Sequence, residues 1–252
     1  MADFRLISRL DIKGTNVIKG YQMEGFRIVG DPKKLARNYY HQGVDEIIFN
    51  DVVASLYKRD QIVELIKFAA KDFFIPLTVI GGIRSVENAR ELFKSGADKV
   101  GINTAALKNP RILKEISESY GTQAVVLSVE AKRNSNGTWT TYGDSGRTDY
   151  GKAISDWIIE SINYGVGEII ITSVDRDGTK SGFDLELMSV IPQNISVPVI
   201  ISGGIASQEH LSDVANHPNI DGVAIGCAFH EKIISIPEAK KYAQISGRKV
   251  RM

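Results

Sequence analysis

Short apolar, β-branched runs alternate with amphipathic helical patterns from one end of the chain to the other. Eight runs predict strands: "FRLISRL" (4–10), "DEIIFN" (45–50), "PLTVI" (76–80), "DKVGIN" (98–103), "QAVVLSV" (123–129), "GEIIIT" (167–172), "VPVIIS" (197–202) and "DGVAIG" (221–226). Their apolarity is continuous rather than alternating, as in strands buried on both faces of a parallel sheet. The intervening segments read as helices. In "DPKKLARNYYHQG" (31–43), Asp31 can cap, Pro32 takes the first helical position and Gly43 follows the end. "RDQIVELIKFAAKD" (59–72) puts Ile62, Leu65, Ile66 and Ala69 on one face. "SVENARELFKSG" (85–96) opens on Ser85 as a cap, and "NPRILKEISESYG" (109–121) again combines a cap, Pro and a terminal Gly. "DWIIESINYG" (156–165) and "SQEHLSDVANH" (207–217) complete the set. Eight such alternations without a break in composition predict a single (β/α)8 TIM barrel over residues 1–252. An open doubly wound sheet is the competitor, but no GxGxxG follows the first strand.

The pattern also repeats. "PLTVIGGIRS" (76–85) returns as "PVIISGGIAS" (198–207), and "DEIIFNDV" (45–52) as "GEIIITSV" (167–174) at the same spacing. "DKVGINTAA" (98–106) matches "DGVAIGCAF" (221–229), and more faintly "LDIK" (10–13) matches "VEAK" (129–132). A repeat this long is no solenoid unit; it divides the barrel into halves at about 1–121 and 122–252.

Composition narrows the function. The 252 residues are 43% hydrophobic with a net charge of +1, which excludes the broad basic field of non-specific nucleic-acid binding. The single cysteine, Cys227, rules out an intrachain disulfide. No segment resembles a signal peptide or reaches 18 apolar residues, so a cytoplasmic protein without membrane partners is expected.

Chemistry in such barrels lies where strands end. Gly81-Gly82 and Gly203-Gly204 follow strands three and seven, and each pair is backed by the next strand's end, Asn103-Thr104 in one half and Gly226-Cys227, with Ile225 before them, in the other. Glycines let backbone N–H groups approach an anion, and two copies predict two phosphate sites on one ligand. Tight strand-to-helix turns are the simpler explanation of either pair alone. The loop "SVDRDGTKSG" (173–182) places Asp177 and Gly178 beside the second pair. Asp11 and Glu130 end strands one and five, opposite each other in an eight-strand ring, as a general acid–base pair would. Lys13 and Lys132 follow each of them by two residues. An isolated strand-end Asp is otherwise a loop cap. No His or Cys spacing points to a metal, and no cofactor or nucleophile motif occurs. At the opposite end, Arg5, Glu46, Lys99 and Glu168 stand near strand beginnings. They are either rim charges or a polar plug of ion pairs over the barrel axis.

Together these segments resemble the cyclase subunit of imidazole glycerol phosphate synthase, the HisF family. The likeness is carried by "LDIKGTNVIKG", "GDPKKLARNYYHQGVDEIIFNDVVAS", "GADKVGINTAA", "QAVVLSVEAKR", "GEIIITSVDRDGTKSGFD" and "ISGGI". The resemblance implies a lyase that takes a bis-phosphate aminoimidazole carboxamide ribonucleotide and ammonia. The ammonia comes from a glutamine amidotransferase docked at the barrel's bottom and passes through the barrel. Asp11 and position 130 are then the acid–base pair, and Lys19 holds substrate from a mobile loop at 14–30. Arg5, Glu46, Lys99 and Glu168 form the ammonia gate, and Asp98 contacts the glutaminase. Three positions depart from the family pattern: Glu130 for Asp, Arg9 for Cys, and Ile80 for the first of three glycines. These departures imply an alternative, a paralogue that channels ammonia to a sugar amidotransferase, and a third reading, a non-catalytic activator of the glutaminase. Ser202, in place of Ile80, favours the second cradle as the better anion site.

Overall fold

The computed structural model describes residues 3–52 and 60–251. Strand β1 (Arg5–Lys13) runs into an antiparallel hairpin of β2 (Asn16–Tyr21) and β3 (Glu24–Gly30). Then come α1 (Pro32–His41), β4 (Glu46–Asp51), α2 (Asp60–Asp72), β5 (Leu77–Ile80), α3 (Val86–Lys94) and β6 (Lys99–Ile102). Short α4 (Thr104–Lys108) and α5 (Arg111–Tyr120) close the first half. The second half opens with β7 (Val125–Arg133) and a second antiparallel excursion, β8 (Trp139–Gly143) and β9 (Thr148–Ala153). It continues with α6 (Ile154–Asn163), β10 (Glu168–Ser173), α7 (Leu185–Ser189) and β11 (Val199–Ser202). The chain ends with α8 (Gln208–Ala215), β12 (Gly222–Ile225), α9 (Cys227–His230) and α10 (Ile236–Ile245). Residue 59 of the second expected helix and residues 53–55 of the family-like segment lie outside the described residues.

The eight expected strands are β1, β4, β5, β6, β7, β10, β11 and β12, all parallel to their ring neighbours. β1 pairs with both β4 and β12, and β10 with both β7 and β11, so the sheet closes. This is the (β/α)8 barrel that the pattern predicted. Ser85 and Asp31 cap their helices as expected, accepting from the backbone N–H groups of Asn88 and Lys34. At α5 the cap differs: Pro110 is already helical and occupies the N-cap position. No described helix is long and apolar enough to cross a membrane.

Two apolar clusters result from strands that are buried on both faces. The larger lies between sheet and helices and includes Leu6, Phe49, Leu92, Trp157 and Leu211. A separate one, Ile7, Ile48, Ile80, Val126, Ile170, Ile200 and Ala224, fills the barrel's waist. The period of two along β1 sends Arg5, Ile7, Arg9 and Asp11 inward in succession. The lumen is thus charged at the bottom, aliphatic in the middle and polar at the top.

Candidate active site

At the bottom, the four charged residues do form a ring. Arg5 pairs with Glu46 at 3.2 Å and Glu168 at 2.7 Å, and Lys99 with the same two at 2.9 and 3.0 Å. The Thr78 hydroxyl also donates to Glu46, at 2.5 Å. Both carboxylates are buried, and their several charge-assisted bonds offset the cost of desolvation. Asp98 stands outside this ring. Its carboxylate accepts the Leu77 backbone N–H at 2.8 Å, as Asp45 does for Leu6 and Asp221 for Val199. The recurring Asp before a strand therefore caps the strand before it, a local signal that explains Asp98 without a partner.

Ile80 and Ser202 both point into the lumen rather than across the glycine turns. Ile80 belongs to the waist cluster. Ser202 donates to the Ala224 carbonyl at 3.0 Å and accepts from Arg9 at 3.5 Å. The expected inequality of the two cradles therefore does not follow from these two side chains.

At the top, Asp11 is enclosed. It accepts from Arg9 Nε at 3.0 Å, Lys19 Nζ at 3.1 Å and Asn50 Nδ2 at 2.7 Å. Lys19, brought in by β2, also holds Asp177 at 2.8 Å. Burial opposes the charge on Asp11, but Arg9 and then Lys19 overcome it and hold the carboxyl well below the usual range. Glu130, on β7, is opposite in circumstance. The Gly146 N–H donates to it at 2.7 Å, and burial pushes its carboxyl up to about 7 despite that bond, the Arg9 charge and the Asn103 side chain. Its pKa thus lies where a proton can move in either direction near neutral pH.

Each glycine pair bounds a cavity. Gly81, Gly82, Asn103, Thr104 and Glu130 line an open cleft of about 550 Å³ with Arg84 and Lys108. Asp177, Gly178, Gly203, Gly204, Ile225 and Gly226 line a second hollow of only about 20 Å³ with Arg9, Lys19 and Lys180. Gly81 and Gly203 have φ of +103° and +111°, and a Cβ on Gly81 would stand 2.2 Å from the Asp51 carbonyl. The tight turn thus requires glycine whether or not an anion binds. Asn103 and Thr104 are partly used by the second hairpin, donating to Tyr142 O at 3.1 Å and accepting from Asp144 N–H at 2.9 Å.

Residues 14–30 form a docked hairpin rather than an irregular loop. The Gln22 N–H donates to Asp177 O at 2.7 Å, and Glu231 pairs with Arg27 and with Lys180, the latter at 2.6 Å. Lys13 is exposed and Lys132 lies over the Tyr142 ring, so neither joins the carboxylates. Cys227 is buried at the second hollow, with its thiol 3.3 Å from Glu231. Among the described residues, no three His, Cys, Asp or Glu side chains converge as metal ligands would. Sequence reasoning missed Arg84, Lys108 and Lys180 as cavity cations. Lys180 lies inside the quoted 173–182 loop, so its signal was position beside the second glycine pair.

A closed parallel barrel with its polar residues gathered at the C-terminal strand ends defines the class: a (β/α)8 barrel with its candidate site on the top face. The family model described as "Histidine biosynthesis protein" matches residues 5–235. The chain is 50% identical to the imidazole glycerol phosphate synthase subunit HisF of Legionella pneumophila over 212 residues, 84% of this chain and all of the relative. It is 43% identical to the HisF subunit of Streptococcus sanguinis and 41% to that of Helicobacter hepaticus, each over 248 residues and 98% of both chains. The chain belongs to the HisF family of imidazole glycerol phosphate synthase subunits.

Proposed function

We propose that this chain is the ammonia-using cyclase of its synthase. It converts a bis-phosphate aminoimidazole carboxamide ribonucleotide to imidazole glycerol phosphate and aminoimidazole carboxamide ribonucleotide. The observation that carries the reading is the layered lumen: an ion-pair ring, an aliphatic waist, and a polar mouth flanked by two glycine cradles. A glutaminase docked over the ring supplies ammonia, with Arg5, Glu46, Lys99 and Glu168 as the gate and Asp98 on the contact face. Desolvation in the aliphatic waist opposes an ammonium ion far more than neutral ammonia. The cradles at Gly81–Gly82 and Gly203–Gly204 hold the two phosphates, helped by Lys19 and the Asp177–Gly178 turn. Glu130 moves protons at the reacting carbons, and Asp11 supplies fixed negative charge opposite it.

The test is turnover of the bis-phosphate ribonucleotide by the isolated chain with excess ammonium salt. Imidazole glycerol phosphate that disappears in Asp11→Asn supports the cyclase. Absence of turnover together with tight binding of a glutaminase overturns it in favour of an ammonia conduit.

A further inference from the structure

The acid pair read from the repeat is symmetric in sequence, but its two members stand in unlike surroundings, and Arg9 makes the difference. The Arg9 side chain is buried, and its guanidinium spans the second-half side of the barrel mouth. Nε donates to Asp11, Nη1 donates to Thr172 at 2.8 Å, and Nη1 reaches toward Ser202 at 3.5 Å. Asp11 therefore sits between two buried cations, with both carboxylate oxygens taken. Asp11 is also absent from the lining of both cavities, whereas Glu130 faces the cleft of about 550 Å³.

We propose that Arg9 is a positioning residue that fixes Asp11 as a permanent anion and so leaves Glu130 as the single proton-transfer group of the site. This rests on the cyclase reading above and assigns the labour within it. A carboxylate bonded by two cations and an amide strongly disfavours a proton, while the hydrogen bonds to Glu130 come from neutral donors, the Gly146 N–H and the Asn103 side chain. The charged groups facing Glu130 are Arg9 from β1 and Asp144 from the turn after β8, while Asp51, Arg84 and Lys108 line the same cleft. Arg9 links the two acids: it donates to Asp11, and its charge acts on Glu130. Burial raises Glu130 and Arg9 partly offsets that, so loss of the cation moves both acids upward together.

The experiment measures kcat and KM with ammonium at fixed free ammonia between pH 5 and 9, for the unaltered chain, Arg9→Lys and Arg9→Met. Carboxyl 13C shifts in Asp- and Glu-labelled protein, assigned with Asp11→Asn and Glu130→Gln, are followed over the same range and down to pH 3. In the unaltered chain kcat follows one ionisation near neutral pH and the Asp11 carbon does not titrate. Arg9→Met is expected to lower kcat about tenfold or more with little change in KM. It should also bring Asp11 into the titration window and raise the midpoint of Glu130 by about one pH unit. Arg9→Lys should retain much of the unaltered behaviour, which a merely steric role would not predict. Superimposable carboxyl titrations in Arg9→Met overturn the proposal, even where kcat falls. If the carboxyl titrations behave as expected but no turnover is found in any form, the cyclase reading fails and the role of Arg9 stands.

Discussion

Gly101 should be intolerant of even one added carbon, and the reason lies in Ile80. The two are register neighbours on β5 and β6. A Cβ at Gly101 would stand 2.5 Å from Ile80 Cγ1 and 3.1 Å from Cδ1. Comfortable carbon contacts begin at about 3.5 Å, so the pair must separate by roughly 1 Å. Ile80 is stiff at χ1 and is held by the waist cluster, although its upper side borders the open cleft. Overpacking of this kind costs about 1–3 kcal/mol, and the outlet into the cleft argues for about 2 in Gly101→Ala. Ile80→Ala alone should cost about 2–3 kcal/mol, the low end for a buried isoleucine beside open space. The double variant should fall short of the summed cost by about 1–2 kcal/mol, because removing Ile80 makes room for the new methyl. Urea unfolding of the four proteins, followed by tryptophan fluorescence and far-UV circular dichroism, measures the cycle. Strictly additive costs, or a Gly101→Ala protein within about 0.5 kcal/mol of the parent, would refute the steric reasoning.

Three further outcomes are expected. Asp11→Asn should remove at least about 10²-fold of ammonium-driven turnover and cost about 3 kcal/mol at neutral pH by leaving buried Arg9 without its carboxylate, while Lys19 keeps Asp177. Because the folded pKa of Asp11 is depressed, its contribution is full above about pH 4 and fades as pH falls toward the folded value, so equilibrium unfolding should show the gap narrowing in acid. Glu130 is the reverse case: its folded pKa is raised to about 7, so the ionised form is penalised above that pH. Glu130→Gln should be more stable than the parent at pH 8.5, by on the order of 1 kcal/mol, and the advantage should close as pH falls from 7 towards 4.5. In Gly178→Ala, a Cβ 2.1 Å from the Gly20 carbonyl at a φ of +74° should lift the β2–β3 hairpin, seen as several-fold faster tryptic cleavage near Lys19 and Arg27.

The barrel was legible because its strands are buried on both faces, and burial writes unbroken apolar runs such as "GEIIIT" that no loop needs. The two hairpins were not. β3 is exposed along most of its length and β9 is largely so, and an exposed strand carries no hydrophobic period to separate it from a polar loop. What orders them is tertiary: continuation of β1 and β7 past the barrel rim, and docking bonds such as Gln22 to Asp177. α10 had a signal that strand-centred reading passed over, since Ser235 and Glu238 form a capping box.

The site was legible in position but not in electrostatics. The repeat paired Asp11 with Glu130 and Gly81–Gly82 with Gly203–Gly204, and in the closed ring β1 and β7 lie opposite each other, as do β5 and β11. It could not show that Arg9 reaches across from β1 to β10, since a side chain spanning three strands leaves no periodic trace. That one residue breaks the symmetry of the halves. With Lys19 and Asp177 it lines the hollow of about 20 Å³ on the second-half side, while the first-half side has the open cleft of about 550 Å³. Glu130 faces the open half with a proton affinity near neutrality, while Asp11 is spent on neutralising cations. The longer side chain at position 130 should then be judged together with Arg9. A carboxylate one methylene longer reaches further into the open cleft, on the side of the mouth that the guanidinium leaves free.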